Sequence, residues 1–452
     1  MKKLALKNAI IATDGGFKKC NVFVKNGLIE RISVGSSFSY KGYNILDLKS
    51  LYLFPGLIDS HTHFNLKIEK NKFNSDDFIS GSKACLSGGI TTYIDFTDGD
   101  YKDVEKDLNE RLTQIKDSYA DYSFHFVLKN IKTPLEAQKR IEKIAKIGAK
   151  SIKIFTAYKL RGLMSDEFII SAILENAKRF GIVVCVHAES EDLISYNLVK
   201  YGKNAKSIKF HPIIRDEFTE NYAIFKLLKL NEKFRAKIYF VHISSARSFE
   251  IIKEYKERGY EIFAETSPHY FVFNDSIYKK KDSYLFTFTP PLRDESNRLK
   301  MLKLLKYFDT VATDSCAFMS KDKEKFKNDL TKIPMGIASS QLLVSLLYTY
   351  VVKPGYISTY KMLELISKNP AKIFGIYGKG EIKKGFWADF CVFNPDEKFK
   401  VKAKNLYHKC DYSVYEGFEL YGKVKMSILR GEIVYNNSSF LKPSGMYLKA
   451  KN

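Results

Sequence analysis

Four of the chain's eight histidines stand at the ends of short apolar segments. His61 and His63 form a His-x-His pair, and His187 and His242 each close a separate apolar run. Side chains two residues apart in a strand point to the same side, so the pair could supply two imidazole ligands to one metal ion. A single histidine in such a place is more often a core residue, but four at equivalent strand ends favour a metal site.

Two further polar residues interrupt apolar segments. Asp314 follows residues 311–313, where a carboxylate costs free energy unless it is paired or binds a metal, so it could be a ligand, a general base or both. Lys153 lies within the apolar run 151–158. An ion pair could compensate its buried ammonium, or carbon dioxide could convert the amine into an anionic carbamate that bridges two cations. The residues alone favour the ion pair.

These residues belong to an alternation of predicted strands and helices. One helix starts after Thr133, with Pro134 at its first position and Glu136 in its first turn, and Gly148 ends it. The eight strand candidates are residues 57–64, 89–96, 121–128, 151–158, 182–189, 237–244, 260–268 and 311–315. Eight such repeats predict an α/β fold, a (β/α)8 TIM barrel, in which the carboxyl ends of the strands form the catalytic face. The four histidines and Asp314 would meet at that face.

The two ends of the chain have a different pattern, with short strands and tight turns. Asn26-Gly27 and Arg430-Gly431 are hairpin turn signals between apolar runs. We expect residues 1–54 and 379–452 to form one small β-sandwich domain from both termini. Residues 55–378 would form the barrel.

Composition excludes several functional classes. The net charge is +23, but only 12 of the 74 basic residues are arginine and the lysines are spread along the chain, which argues against a nucleic-acid partner. No window of 18 apolar residues and no plausible leader sequence occurs, so we expect no membrane association. The six cysteines include no Cys-x-x-Cys pair. This pattern is typical of reduced thiols in a cytoplasmic protein.

The chemistry-bearing residues together resemble the amidohydrolase superfamily, in its branch with two metal ions and a carboxylated lysine. Residues 55–63 and 380–389 are similar to motifs found across the superfamily. Narrower motifs resemble dihydropyrimidinases and hydantoinases, and they lie at residues 75–78, 88–92, 151–159, 289–293, 332–336, 369–375 and 411–417. The resemblance covers nearly the whole chain.

The resemblance implies a cofactor arrangement. Two divalent cations per subunit are expected, with Zn²⁺ as the expected metal, although the ligand types also suit Mn²⁺, Co²⁺ or Ni²⁺. One cation would bind His61, His63 and Asp314, and the other would bind His187 and His242. N6-carboxylysine at position 153 would bridge them, which reverses the ion-pair expectation.

The resemblance also implies a reaction, the hydrolytic ring opening of a 5,6-dihydropyrimidine or a hydantoin to an N-carbamoyl amino acid. A bridging hydroxide would attack the ring amide carbonyl, and Tyr158 would stabilise the developing oxyanion. Asp314 would take the proton and deliver it to the leaving nitrogen. Tyr158, Thr289 and Met335 would contact the substrate. The family is commonly a homotetramer or dimer, so a homo-oligomer is expected.

The chain departs from relatives at a few positions. Relatives usually carry asparagine in place of Met335 and histidine in place of Ser315, and residues 337–340 lack an acidic residue. Dihydroorotases usually have arginine where this chain has Asn65, whereas allantoinases have asparagine there, so both activities remain alternatives. A third alternative is a dihydropyrimidinase-like structural protein, which intact metal ligands disfavour.

Overall fold

The N-terminal end of the chain forms strands, as expected. The structure is a computed structural model that describes residues 3–35, 39–69 and 72–450. A tight turn joins the second and third strands at Asn26 and Gly27, whose φ angles of 52° and 79° suit a hairpin loop. The five strands are β1 (Lys3–Thr13), β2 (Gly16–Lys25), β3 (Leu28–Ser33), β4 (Asn44–Asp47) and β5 (Tyr52–Pro55).

The middle of the chain forms an eight-stranded parallel barrel, and all eight predicted strands are present in the predicted order. Most observed strands end earlier than predicted, because the backbone leaves the regular ladder where it aims polar side chains into the barrel mouth. A small hairpin of β7 (Lys67–Glu69) and β8 (Lys72–Phe73) follows the first strand. The barrel strands are β6 (Leu57–Asp59), β9 (Ile90–Phe96), β10 (Asp121–Val127), β11 (Ser151–Phe155), β12 (Val183–His187), β13 (Lys237–Phe240), β14 (Ile262–Thr266) and β15 (Thr310–Val311).

Helices follow the barrel strands. The predicted helix start at Thr133 is confirmed, since the Thr133 hydroxyl accepts from the amide of Glu136. The helices are α1 (Phe78–Ser87), α2 (Val104–Gln114), α3 (Pro134–Lys146), α4 (Glu167–Phe180), α5 (Glu191–Tyr201), α6 (His211–Ile214), α7 (Glu217–Phe234), α8 (Ala246–Glu257), α9 (His269–Val272), α10 (Glu295–Leu304), α11 (Ser320–Glu324), α12 (Leu343–Leu347), α13 (Thr359–Leu363) and α14 (Asn369–Ile373).

The C-terminal strands complete the sheet that the N-terminal strands begin. They are β16 (Phe390–Lys400), β17 (Glu419–Leu429), β18 (Glu432–Asn436) and β19 (Ser439–Phe440). Strand β16 pairs antiparallel with β5, which joins the two ends of the chain into one nine-stranded mixed sheet. The predicted fold class is therefore confirmed: a (β/α)8 barrel accompanied by a smaller β domain built from both termini.

The barrel closes next to the predicted site. Its first and last strands meet through a bridge between Thr62 and Ser315, and the amide of His63 donates to the carbonyl of Ser315 at 2.9 Å. Below this closure, Ile58, Ile94, Cys185 and Tyr239 fill the interior with other apolar side chains. Rigid packing beneath the mouth fixes the positions of the side chains above it.

The C-terminal tail packs on the barrel of its own chain. The amide of Met446 donates to Asp121 Oδ1 at 2.8 Å, and Leu448 donates to the carbonyl of Tyr122 at 2.7 Å. Asp121 also accepts from buried Lys379 at 2.8 Å and from Arg430 at 2.6 Å. The tail thus covers the amino-terminal end of β10. Among the described residues, no helix combines the length and apolar character needed to cross a membrane.

Candidate active site

The His-x-His pair and Asp314 converge at the barrel mouth. Nε2 of His61 lies 3.2 Å from Nε2 of His63, and Oδ1 of Asp314 lies 3.2 Å from the first and 3.1 Å from the second. The three donor atoms fall within 4.8 Å of one another. The two histidines lie past the end of β6 rather than within a strand as predicted, yet their ring nitrogens still face each other. Two imidazoles and a carboxylate form a donor set suited to a divalent cation.

His187 and His242 form a second imidazole pair beside the first. Nδ1 of His187 lies 2.9 Å from Nε2 of His242, and the rings of His242 and His61 are 5.6 Å apart between centroids. Burial lowers the pKa values of both His187 and His242 below the ordinary value, which favours the neutral ligand form of imidazole. All four predicted histidines therefore occupy one cluster.

Lys153 is buried on β11 without an ion-pair partner among the described residues, so the structure does not supply the salt bridge that the residues alone favoured. Its ammonium lies 5.4 Å from the ring centroid of Phe96 and 5.1 Å from that of Phe155. The Phe96 ring also stacks on that of His63, with 4.7 Å between centroids, which places Lys153 beside the cluster of His61, His63 and Asp314. Burial lowers the pKa of Lys153 to about 8, so its neutral amine is accessible near neutral pH.

Glu265 orients the first pair, although the sequence interpretation did not single it out. The fully buried carboxylate accepts from Nδ1 of His61 at 2.7 Å and from the amide of His242 at 3.0 Å. With Nδ1 of His61 donating to this carboxylate, Nε2 of a neutral His61 ring presents a lone pair to the cluster. One carboxylate thus fixes the ring orientation of His61 and the backbone position of His242.

Glu189 has the corresponding role for the second pair. Its Oε2 accepts from Nε2 of His187 at 2.8 Å and forms an ion pair with Arg215. This contact leaves Nδ1 of His187 unprotonated and facing His242. Nδ1 of His187 therefore presents a lone pair to the cluster, as an imidazole ligand of a metal ion must. A sequence signal existed for both acids, since Glu189 lies two residues after His187 and Glu265 lies in an apolar strand.

The side chains of Tyr158 and Thr289 meet at the mouth of the barrel. The Tyr158 hydroxyl lies 2.6 Å from Oγ1 of Thr289, and the tyrosine ring is 5.0 Å from that of His187. The guanidinium of Arg215 lies 5.1 Å from the Tyr158 ring centroid. Tyr158 is not in a strand as predicted, because β11 ends at Phe155 and the tyrosine has a φ of 67°.

Positive φ angles recur at the mouth. His242 and Asp314 have φ values of 39° and 50°, in the left-handed region that side chains rarely adopt. Together with Tyr158, they show that the backbone turns sharply after β11, β13 and β15. Strained residues of this kind persist where the surrounding structure over-determines them and often mark functional sites.

The positions that depart from the relatives' pattern have structural partners. Ser315 is buried, and its Oγ accepts from the amide of Ser339 at 3.3 Å. Ser340 donates to Asp59 at 3.3 Å, so residues 337–340 bind an acid rather than supplying one. Met335 is half-buried and packs against the apolar cluster that contains Phe288. These positions do not join the imidazole cluster.

Asn65 does not face the cluster. Its Nδ2 donates to Oε1 of Gln114 on α2 at 3.0 Å, and its carbonyl accepts from Arg111 at 3.0 Å. The side chain is therefore engaged with a helix outside the barrel mouth. A role in holding a substrate carboxylate, as in the dihydroorotase alternative, is not supported by this orientation.

Comparison with known proteins places these observations in a family context. Residues 52–434 match the family described as "Amidohydrolase family". The D-hydantoinase of Geobacillus stearothermophilus is 31% identical, with 99% of this chain and 96% of that protein covered. The D-hydantoinase of Ralstonia pickettii is 30% identical, with 99% of each covered. The dihydropyrimidinase structure from Brevibacillus agri NCHU1002 superposes with a TM-score of 0.92 at 28% identity, with 99% of this chain and 98% of that chain covered.

Proposed function

We infer that this chain, which belongs to the amidohydrolase family, is a hydrolase that opens cyclic amides of the dihydropyrimidine or hydantoin type. The observation that carries this conclusion is the cluster of four histidines and Asp314 at the barrel mouth, beside a buried lysine with no ion-pair partner among the described residues. The product would be an N-carbamoyl amino acid.

We propose that His61, His63 and Asp314 hold one divalent cation and that His187 and His242 hold a second, with carboxylated Lys153 between them. The tautomers that Glu265 and Glu189 impose, and the missing ion pair of Lys153, support this assignment. Imidazole and carboxylate ligands suit Zn²⁺. When bound, the two cations supply a hydroxide nucleophile near neutral pH and polarise the ring carbonyl.

The remaining steps belong to side chains of the chain itself. Burial raises the pKa of Asp314, but His61 and His63 lower it by more, so the pKa lies well below its usual range and the carboxylate is ionised at pH 7. It can therefore accept a proton and pass it to the leaving ring nitrogen. The Tyr158 hydroxyl can donate to the oxyanion that forms on the attacked carbonyl. Thr289, which lies against that hydroxyl, and Met335 would border the ring.

The wider organisation follows the same proposal. Residues 55–378 would be the catalytic barrel domain, and residues 1–54 and 379–452 the β-sandwich domain. The six cysteines are free and buried, which supports a cytoplasmic location. The orientation of Asn65 disfavours dihydroorotase and allantoinase activity.

The deciding experiment measures ring opening of dihydrouracil and of hydantoin on protein whose metal content is quantified. We expect close to two metal ions per chain and turnover of at least one ring. Protein that binds metal but opens neither ring would contradict the substrate class, and allantoin and dihydroorotate would then be assayed. Protein that binds no metal would contradict the enzyme assignment and favour the structural-protein alternative.

Replacing Glu265 with glutamine is expected to weaken metal binding about 10- to 100-fold, because a neutral amide makes the His61 ring a poorer ligand. Metal content after dialysis against buffered free Zn²⁺ measures the effect. Glu220→Gln is the control, since Glu220 is equally buried but contacts Ser244 and Arg293 rather than an imidazole. Equal metal affinity in the Glu265 variant and the wild type would contradict the orienting role.

We also propose that the chain forms a homo-oligomer through the outer faces of α5 and α7. Val199 is 82% exposed and Phe218 is 61% exposed, and Tyr196, Tyr222 and Phe225 are exposed beside them. With about 150–250 Å² for each full aromatic side chain, this face would bury on the order of 600 Å² per copy, close to the roughly 800 Å² of a standard interface. A second copy is the proposed occupant because α7 places exposed aromatic residues, Phe218, Tyr222 and Phe225, on the side opposite its buried residues.

The double variant Phe218→Glu/Phe225→Glu is expected to shift the protein to monomers at micromolar concentration, because two copies would bring like charges together in an apolar contact. Sedimentation velocity measures the shift. Tyr377→Glu changes an aromatic residue that is 72% exposed but lies outside these helices, and it should leave the assembly intact. A wild-type monomer, or an unchanged oligomer in the double variant, would contradict this interface.

A further inference from the structure

The segment that carries Thr289 is held by buried side chains from separate parts of the chain. The carbonyl of Phe288 accepts from Nε2 of His211 at 2.8 Å, and that of Pro290 accepts from the Tyr270 hydroxyl at 2.7 Å. The carbonyl of Thr287 accepts from Nζ of Lys323 at 2.9 Å. Three of the four carbonyls of residues 287–290 are thus fixed individually, which makes the backbone of this segment a rigid template.

Lys323 is the unusual member of this set. It is fully buried on α11, and its Nζ also lies 3.2 Å from Oγ1 of Thr287 and 3.4 Å from the carbonyl of Leu285. Among the described residues no carboxylate lies within 4.0 Å of it. A buried cation without a counter-ion costs free energy, and burial lowers the pKa of Lys323 to about 7. An apolar residue at this position would avoid that free-energy cost. We therefore expect the hydrogen bonds that the lysine donates to have a function that offsets it.

The Thr287 carbonyl explains why a lysine is retained at this position, because this one oxygen accepts hydrogen bonds from two separate segments of the chain. Besides Lys323, it accepts from the amide of Gly336 at 2.9 Å. Gly336 follows Met335, and Thr287 lies two residues before Thr289. Lys323 therefore fixes the acceptor that sets the distance between the segments of Thr289 and Met335. Its helix begins six residues after Asp314, so the same stretch of chain supplies a metal-type ligand and this anchor.

We propose that Lys323 is a positioning residue for substrate binding, which holds the Thr287 carbonyl so that residues 287–290 and 335–336 present a pre-formed surface to the substrate ring. This proposal rests on the proposed function for its substrate. It predicts that loss of the lysine weakens ring binding while leaving the metal site and the chemical step in place, because the metal-type ligands do not contact Lys323.

The test is Lys323→Met, which keeps the length of the side chain and removes its donors. We expect KM for the ring that the wild type opens to rise about tenfold or more, kcat to stay within about twofold, and metal content to stay unchanged. Lys321→Met is the control, since Lys321 lies on the same helix but is exposed. A fall in kcat at unchanged KM, a loss of metal, or no kinetic change would overturn the proposal.

A second readout does not depend on activity. Hydrogen–deuterium exchange should become faster in residues 284–290 and 334–338 of Lys323→Met, and not in Lys321→Met. This arm separates failure of the proposal from failure of the assigned substrate, because it needs no turnover. Unchanged exchange in both segments would overturn the positioning role.

Thr287→Val is a milder substitution that tests the same contact if Lys323→Met does not fold. It removes one of the three acceptors of Lys323 and keeps the side-chain volume. We expect a smaller rise in KM, about two- to threefold, that disappears when it is measured in the Lys323→Met background. Additive effects of the two substitutions would show that they act independently and would overturn the proposal.

Discussion

Replacing Lys153 with alanine is expected to abolish ring opening, with kcat/KM lower by at least about 10⁴-fold, and to remove most of the bound metal. The alanine lacks the amine that would carry the proposed carbamate, and both imidazole pairs would then lose the anionic ligand that they are proposed to share. The described structure offers Lys153 no carboxylate partner, so no salt bridge is lost that could account for such an effect. Metal analysis and initial rates on the same preparation measure both outcomes.

Two comparisons separate loss of the carbamate from general damage to the core. Cys185 pairs with Lys153 across the neighbouring strand and is fully buried, so Cys185→Ala disturbs the same layer without removing the amine. It should retain metal and most of its activity. Wild-type protein stripped with a chelator should recover only when both a divalent cation and bicarbonate are supplied. An alanine variant at position 153 that keeps two metal ions and turns over would contradict the assignment.

Replacing Asp314 with asparagine is expected to lower kcat by about 10³- to 10⁴-fold, at the upper end of the contribution of a general base. Asparagine keeps the shape and one potential oxygen ligand but does not accept a proton. Metal content should fall towards one ion per chain, because His187 and His242 are untouched. Because the pKa of Asp314 lies well below its usual range, the carboxylate remains ionised from pH 5 upward, and no acidic limb in that range should derive from it.

The matched control is Asp309→Asn. Asp309 lies just before β15 and Asp314 lies just after it, and the two side chains have similar exposure, 19% and 17%. Asp309 pairs with Lys256 at the opposite end of the barrel from the imidazole cluster. We expect its variant to keep full metal content and a kcat within about threefold of wild type. An Asp314 variant whose kcat matches that of the Asp309 variant would contradict the proton-transfer role.

Much of the site was predictable because strand ends in a barrel converge. The apolar runs that precede His187 and His242 place both residues at one face, and the structure brings them together with His61, His63 and Asp314. The strand limits were less predictable: the backbone of Tyr158 and Asp314 turns into the left-handed region, and only neighbouring elements in three dimensions hold it there.

The supporting acids were not identified from the sequence, although their spacing was visible. The orienting role of Glu189 and Glu265 becomes evident only in three dimensions, where their carboxylates contact ring nitrogens of His187 and His61. Lys153 illustrates the opposite case. The physics of a buried ammonium favoured an ion pair, and the family resemblance favoured a carbamate. Among the described residues no carboxylate pairs directly with Lys153, and Asp314 and Glu265 act on it only at longer range, so the carbamate is the alternative that we propose.

The pairing of β5 with β16 has a consequence for how the chain folds while it is being synthesised. Pro55, the last residue of β5, is aligned with Phe390, the first of β16, so about 335 residues separate the two partners along the chain. At about 5–20 residues per second, a ribosome needs on the order of 20–70 s to make that stretch. During this interval β5 has an open edge on the emerging chain, and such edges attract wrong partners. The most aggregation-prone moment of this protein is therefore expected during translation, before its final strands leave the ribosome.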